Sequence, residues 1–275
     1  MAGKEKEKGK GGPLAGRTAI VTGGSSGIGA GICRAYAKAG AAVGVNYLGG
    51  AEAAEKLVKE IAADGGLAVA LKADVSREAE VARMFDRFVK RFHRIDILVA
   101  NAGIQRDAPV ETMTLEQWNE VLAANVAGQF LCAREAIRHF LAQKPPADSR
   151  AIGKILCMSS VHQHIPWAGH VNYAASKGAV HLLMESLAQE VAGRKIRVNA
   201  IAPGAIRTPI NKGAWSTPQA MKELLRLIPY GRIGEPDDVA KLAVWLASDD
   251  SDYVVGATIV IDGGMSLYPG FAGNG

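Results

Sequence analysis

Residues 19–32 read AIVTGGSSGIGAGI. A short apolar strand runs into a turn carrying Gly23, Gly27 and Gly29, and helical spacing follows. Glycines at such points let the backbone come close to a pyrophosphate, and the first amides of the helix are offered to an anion. The spacing is G-x-x-x-G-x-G, not the G-x-G-x-x-G of the broader dinucleotide motif. The strand–turn–helix context still marks a nucleotide-binding turn, with Ser25, Ser26 and Ile28 inside it.

Outward from this turn, strand and helix alternate to the end of the chain. After the strand at 17–22 and its helix to about residue 40 come a strand at 42–46, a helix at 51–64 and a strand at 67–73 (LAVALKA). A helix at 77–93 and a strand at 95–100 (IDILVA) follow, then one long helix at 115–141. A fifth strand at 153–158 leads to the helix carrying Tyr173 and Lys177. A sixth strand lies at 196–201, a helix at 236–248 and a last strand at 257–261. Such alternation predicts a single-domain α/β fold, a doubly wound parallel sheet of about seven strands with helices on both faces. Pro209, Pro218 and Pro229 interrupt the rhythm across 204–235, around a short helix at 218–227. An excursion after the sixth strand lies at the carboxyl edge of the sheet, where a substrate lid would sit.

The 275 residues are enough to bury a large core, and the sparse aromatics (6%) with 32 glycines suit buried parallel strands. No apolar run reaches the roughly 18 residues of a membrane span. The net charge is +5, and the segment MAGKEKEKGKGG supplies two of those charges. No basic stripe interleaves with aromatics, so nucleic acid is not expected. Residues 1–13 read as a solvated, disordered tail without the apolar segment of a secretory signal, and 14–275 as the catalytic domain. Cys33, Cys132 and Cys157 are scattered and odd in number, the pattern of reduced core thiols in a cytoplasmic protein.

In NYAASKGAV, Tyr173 and Lys177 stand one helical turn apart, and Ser160 lies thirteen residues ahead of the tyrosine. An ammonium there stabilises phenolate. Lowering a phenol by roughly 3 pH units from about 10 needs about 4 kcal/mol of such preference, and the result would be a general acid or base at neutral pH. Hydride leaves a carbinol carbon as its hydroxyl proton is removed, so a base and a polar anchor must meet one oxygen. Ser160 ends the fifth strand and Tyr173 begins the next helix, so both can converge at the carboxyl edge.

TGGSSGIG at 22–29, NAG at 101–103, Asn125 in ANVAG, Ser160, YAASK at 173–177 and PG at 203–204 together resemble the short-chain dehydrogenase/reductase family, over roughly residue 14 to the end. The resemblance implies a Rossmann-type fold binding NAD or NADP. It makes Tyr173 the acid/base, has Lys177 hold the nicotinamide ribose and lower the tyrosine pKa, has Ser160 bond the reacting oxygen, and has Asn125 hold a relay water with Lys177. Asp74 with Val75 matches the adenine-contacting segment, Asn101, Ala102 and Gly103 the segment beside the ribose, and Pro203, Gly204, Ile206 and Thr208 the segment that meets the carboxamide. An acid near the end of the second strand would favour NAD, and an arginine NADP. Asn46–Tyr47–Leu48–Gly49 offers neither, so use of both cofactors is expected, with a lean to NAD.

MSSVHQHIPWAGHVNYAASKG, PGAIRTPIN, IGEP and DGGMSLYPGF narrow the resemblance to the bacterial glucose 1-dehydrogenases, which oxidise β-D-glucose at C1 to gluconolactone as tetramers. His162 matches a sugar-contacting position. Gln105 replaces a glutamate of that group and Arg207 a small amide, which alters hydroxyl recognition; Leu48 replaces an arginine. Trp167 and Trp215 flank the expected pocket, where either stacking on a sugar face or plain packing is open to them. His162, His164 and His170 lack clustered acids or cysteines, and no metal is expected. The alternatives are a short-chain reductase of another ketone or of a 3-oxoacyl-carrier thioester, and a non-catalytic nucleotide-binding protein.

Overall fold

A computed structural model describes residues 12–267. Seven strands, β1 (Thr18–Val21), β2 (Ala42–Tyr47), β3 (Leu67–Lys72), β4 (Ile97–Ala100), β5 (Gly153–Met158), β6 (Ile196–Pro203) and β7 (Thr258–Ile261), pair in parallel as one sheet. Their order is β3-β2-β1-β4-β5-β6-β7. The direction of winding reverses between β1 and β4, and at such a switch point the connections diverge and leave a crevice at the carboxyl edge.

Strand side chains alternate between faces, so one strand feeds two cores. Ala19 and Val21 of β1 join Val43, Val45, Ile97 and Val99 on one face, beneath α1 (Gly27–Lys38), α2 (Ala51–Ala63) and α8 (Pro236–Ala247). Ile20, Leu98, Ile155 and Val198 point the other way, against α3 (Glu78–Phe92), α5 (Gly128–Ala142) and α6 (Val171–Val191). Both cores are continuous clusters of buried apolar side chains, as the near-uniform apolar strands require. Leu14 is buried. Most of the expected tail at 1–13, and the YPGF stretch near the C-terminus, lie outside the described residues.

The expected single helix at 115–141 is instead two, α4 (Leu115–Leu122) and α5, joined by a π-helical turn at Ala123–Ala127. A π turn inserts one extra residue into the helical ladder. Asn125 lies in that widened turn and is fully buried. Apolar periodicity does not report which backbone hydrogen bonds a helix makes, so the π turn is not legible in it.

Residues 204–235 leave the sheet after β6 and return at the start of α8. They hold a 3-10 turn at Pro209–Ala214 and α7 (Pro218–Leu225). Ile206 and Gly234 pair across the base of the excursion. Leu224, Ile228 and Ile233 form a small core of their own, with Trp215 and Met221 packed against it.

Candidate active site

The crevice begins at the glycine turn. Gly23 and Gly27 have φ of 60° and 51°, the left-handed region that favours glycine. A Cβ at Gly29 would collide with the carbonyl of Gly23, and one at Gly27 would sit 3.2 Å from the Thr208 side chain. Ser26 is extended at the start of α1 and makes no side-chain cap, and no acid occupies the first helical turn. The first amides of α1 are thus left for an anion, at the positive end of the helix dipole. This cradle fits a pyrophosphate. Thr208, reaching over from beyond β6, closes its far side.

Two asparagines build the cradle from behind. Asn101 Nδ2 donates to the carbonyls of Thr22 (2.8 Å) and Gly23 (3.3 Å). The Thr22 hydroxyl accepts from the amides of Asn101 (2.8 Å) and Ala102 (3.0 Å). On the other side, Asn46 Oδ1 accepts from Gly23 N–H (3.0 Å), and Asn46 Nδ2 donates to Leu71 and Ala73 carbonyls (both 3.1 Å). Read in the sequence as part of a cofactor-choosing run, Asn46 is buried and wholly occupied in tying β2, β3 and the turn together. An amide inside an otherwise apolar strand is the signal that could have revealed this. Leu48, 60% exposed just beyond β2, is the residue of that run left facing outward. Asp74 makes a local turn, accepting from the amide (2.9 Å) and hydroxyl (2.7 Å) of Ser76. Val75 packs beside Gly128, and Gly204 lies so close to Asp262 that a side chain has no room. Ile206 is buried.

Ser160 is the second residue beyond β5, and its hydroxyl accepts from His162 N–H (3.2 Å). Tyr173 lies in the first turn of α6 and Lys177 one turn on. The Tyr173 hydroxyl has the side chains of Ser160 and Gln105 beside it, and both act to lower its pKa. Burial outweighs them, and the phenol is held above its ordinary value. The sequence reading expected Lys177 to pull it down. Instead Lys177 Nζ donates to the Met158 carbonyl (2.9 Å) and sits 5.4 Å from the centre of the tyrosine ring. Burial brings the Lys177 ammonium itself down from 10.5 to about 8, so at neutral pH it carries a charge that it holds weakly.

Asn125 does not reach Lys177 with its side chain. Its Oδ1 accepts from Ile104 N–H (2.8 Å), and its Nδ2 donates to the Ile104 carbonyl (3.1 Å) and the Ser176 hydroxyl (3.0 Å). Asn172, which sequence reasoning passed over, is equally buried. Its Nδ2 donates to the Arg106 carbonyl (2.8 Å). Ala108 N–H donates to Gly169 (3.0 Å), so the 104–108 loop is also held from the opposite wall.

That wall is an aromatic stack. The rings of His162 and His170 lie nearly parallel to Trp167, with centroids 4.2 and 3.5 Å from it. Two rings cannot both lie so close over one face without overlapping, so they cover opposite faces. Trp167 therefore has no free face for a sugar, and of its two readings the structure shows packing. His162 Nδ1 lies 3.1 Å from the Ile165 carbonyl, which can only accept, so this nitrogen carries the proton. Burial lowers the His162 pKa, keeping the ring neutral with Nε2 as an acceptor. His170 Nε2 stands 3.3 Å from Asp107. Arg207 pairs with Glu235 (2.9 Å) and lies 5.1 Å over Trp215, whose indole N–H donates to Asn211 (3.1 Å). It is engaged within the excursion. Among the described residues no group of three or more His, Cys, Asp or Glu side chains is arranged to hold a metal, and no helix is long and apolar enough to cross a membrane.

Comparison with known proteins agrees with this layout. A family model described as enoyl-(acyl carrier protein) reductase matches residues 23–266. The chain is 46% identical over 258 residues to 3β-hydroxysteroid dehydrogenase 1 of Eggerthella lenta, covering 94% of this chain and 97% of that one. It is 40% identical over 257 residues to glucose 1-dehydrogenase 2 of Bacillus subtilis, covering 93% and 97%. A solved gluconate 5-dehydrogenase of Burkholderia cenocepacia, in complex with NADP and tartrate, superposes with a TM-score of 0.85 at 34% identity, covering 93% and 97%.

Proposed function

The chain belongs to the short-chain dehydrogenase/reductase family and is an NAD(P)-dependent oxidoreductase, and from that premise we propose that it oxidises a sugar carbinol, β-D-glucose at C1 to gluconolactone. The observation that carries this reading is the polar company of the Tyr173 hydroxyl: Ser160, Gln105 and, 6.3 Å away ring to ring, His162. These groups suit a substrate with several hydroxyls. Leu224, Ile228 and Ile233 of 204–235 are turned into a small core of their own and do not line a steroid pocket, while Ile210, Leu227 and Tyr230 stay exposed.

In this proposal Ser160 donates a hydrogen bond to the reacting oxygen, and Tyr173 exchanges the proton with it. Bound in the cradle, the nicotinamide supplies the hydride acceptor. Lys177 holds the ribose, and Asn125 shapes the π turn that sets the loop opposite. Asp74, Val75, Asn101, Ala102, Gly103, Pro203, Gly204, Ile206 and Thr208 line the cofactor side, and residues 204–235 act as the lid. His162 offers Nε2 to a sugar hydroxyl. Both NAD and NADP are used, with NAD preferred because Leu48 provides no donor for a 2′-phosphate. The assembly is a cytoplasmic homotetramer built on the 115–141 and 173–191 helices and the last strand; exposed Leu115, Phe130, Leu141, Leu182 and Val260 support such burial.

A second reading, a 3β-hydroxysteroid as substrate, is favoured by the 46% identity to the Eggerthella enzyme. One panel separates the two. Glucose, other aldoses, gluconate, a 3β-hydroxysteroid and a 3-oxoacyl thioester are each assayed with NAD and NADP by nicotinamide absorbance. Highest kcat/KM on an aldose supports the proposal, and turnover confined to the steroid overturns it. Tyr173→Phe should keep cofactor affinity while losing at least about a hundredfold in turnover, the scale of general acid–base catalysis. Near-normal turnover would remove Tyr173 from the mechanism.

A further inference from the structure

Resting on the reading of the glycine turn as the dinucleotide cradle and of 204–235 as the lid, we propose that Asn211 is the positioning residue that joins the two, so that the lid answers to the cofactor through Thr208, Asn211 and Trp215. Three donors meet at one oxygen. Asn211 Oδ1 accepts from the Thr208 amide (3.2 Å), the Thr208 hydroxyl (2.8 Å) and the Trp215 indole N–H (3.1 Å). The two ends of this junction are embedded in different parts of the molecule. Thr208 is buried, and its side chain lies so near Gly27 that a Cβ there would stand 3.2 Å from it. Trp215 packs against the small core of Leu224, Ile228 and Ile233. The Arg207 guanidinium lies over its ring at 5.1 Å and pairs with Glu235, just before α8.

The chemistry follows from the shortage of lone pairs. An amide oxygen has two, so three donors cannot all be served in full. The Thr208 amide is fixed by the backbone and the indole N–H by its packed ring, which leaves the hydroxyl as the donor that rotates. Beside an acceptor oxygen of a bound dinucleotide, from the pyrophosphate or from the carboxamide, Thr208 turns its proton toward the ligand. Asn211 Oδ1 then serves the other two donors, and its bond to Trp215 tightens. Trp215 belongs to the packing of the lid, so the change reaches 204–235 as a whole. Apolar packing alone gives no such link, because it does not register the direction of a hydroxyl. Proton exchange at Tyr173 is untouched, and what changes is how firmly the lid is seated over substrate.

The test is fluorine NMR of the full chain carrying 5-fluorotryptophan, with calorimetric titration of NAD, NADP and ADP-ribose. Trp118, Trp167, Trp215 and Trp245 give four resonances, and Trp215→Phe identifies the one of interest. Saturating dinucleotide should shift the Trp215 resonance in the wild type and in Asn211→Asp, which keeps an acceptor oxygen in place. In Asn211→Leu the resonance should stay still, while the dinucleotide dissociation constant changes by less than about threefold. Thr208→Val keeps the shape and drops the hydroxyl; it should silence Trp215 in the same way, and it carries the test if Asn211→Leu does not fold. KM for the carbinol that is turned over should rise about fivefold in both Asn211→Leu and Trp215→Phe, the worth of one hydrogen bond. ADP-ribose has the pyrophosphate without the nicotinamide. A shift with it assigns the pyrophosphate oxygen to Thr208 and a shift with NAD alone the carboxamide, and either supports the junction. A Trp215 response of wild-type size in Asn211→Leu or Thr208→Val would overturn it. So would a dissociation constant raised about tenfold in Asn211→Leu, which would make Asn211 a cofactor ligand. Wild-type protein that binds neither dinucleotide fails the parent reading, a result distinct from bound cofactor with a still Trp215, which fails the junction alone.

Discussion

Replacing Lys177 with methionine should make the cofactor-free protein more stable even as it removes activity. The lysine is 4% exposed, and burial brings its ammonium from 10.5 to about 8. At about 1.4 kcal/mol for each tenfold change in proton affinity, the charged form is disfavoured in the folded state by about 3 kcal/mol at neutral pH. Methionine keeps the apolar stem and drops the charge. It also removes one of the two side-chain donors to the Met158 carbonyl, Nζ at 2.9 Å, leaving the Gln129 amide at 3.1 Å, a loss of about 1 kcal/mol. The net expectation is a gain of about 2 kcal/mol at pH 7. The sign with pH is fixed by the same values. Folded Lys177 titrates near 8 and unfolded lysine near 10.5, so the burden is complete below about pH 8, fades between the two values and is absent above the upper one. Urea unfolding of both proteins followed by circular dichroism, at pH 7 and pH 10, measures the gap directly. A variant no more stable than the wild type at pH 7, or a gap that does not shrink by pH 10, would refute the reasoning that Lys177 is a desolvated charge awaiting a partner.

Leu48→Arg should raise kcat/KM with NADP relative to NAD, because the exposed position just past β2 gains a donor fork for phosphate; an unchanged ratio in steady-state assays would move cofactor choice elsewhere. Asn46→Leu should cost at least about 2 kcal/mol in unfolding free energy, since the Gly23 amide and the Leu71 and Ala73 carbonyls lose their partner together. It should also weaken NADH binding measured by fluorescence titration, and unchanged affinity would show that the cradle keeps its shape without that brace.

Much of this was legible along the chain, for local reasons. The glycine turn, the strand–helix rhythm and the Tyr173–Lys177 spacing are written in periods of a few residues, and the sheet has the predicted form. What escaped depends on contacts between distant segments. Asn172 adjoins the tyrosine in sequence, yet its importance comes from Arg106, 66 positions earlier. The π turn at Asn125 is a matter of backbone hydrogen bonding, which apolar spacing does not report. Trp167 reads as a free aromatic until His162 and His170 are seen to cover its two faces. The direction of the Tyr173 shift was misread because helical spacing reveals that a lysine is near but not how dry the site is, and here dryness prevails.

The switch in strand order has a consequence for the life of the molecule. Thr22 and Gly23 meet Asn101 across the join of β1 and β4, after nearly eighty residues of intervening chain. No fragment containing only the glycine turn possesses that cradle, so the nucleotide recognises a finished sheet and not a local motif. Ligand that binds only the finished state shifts the folding balance, by about 2.7 kcal/mol when its concentration is a hundred times its dissociation constant. A cell replete in nicotinamide dinucleotide would thus shelter this protein from proteolysis, and its abundance would track the size of that pool.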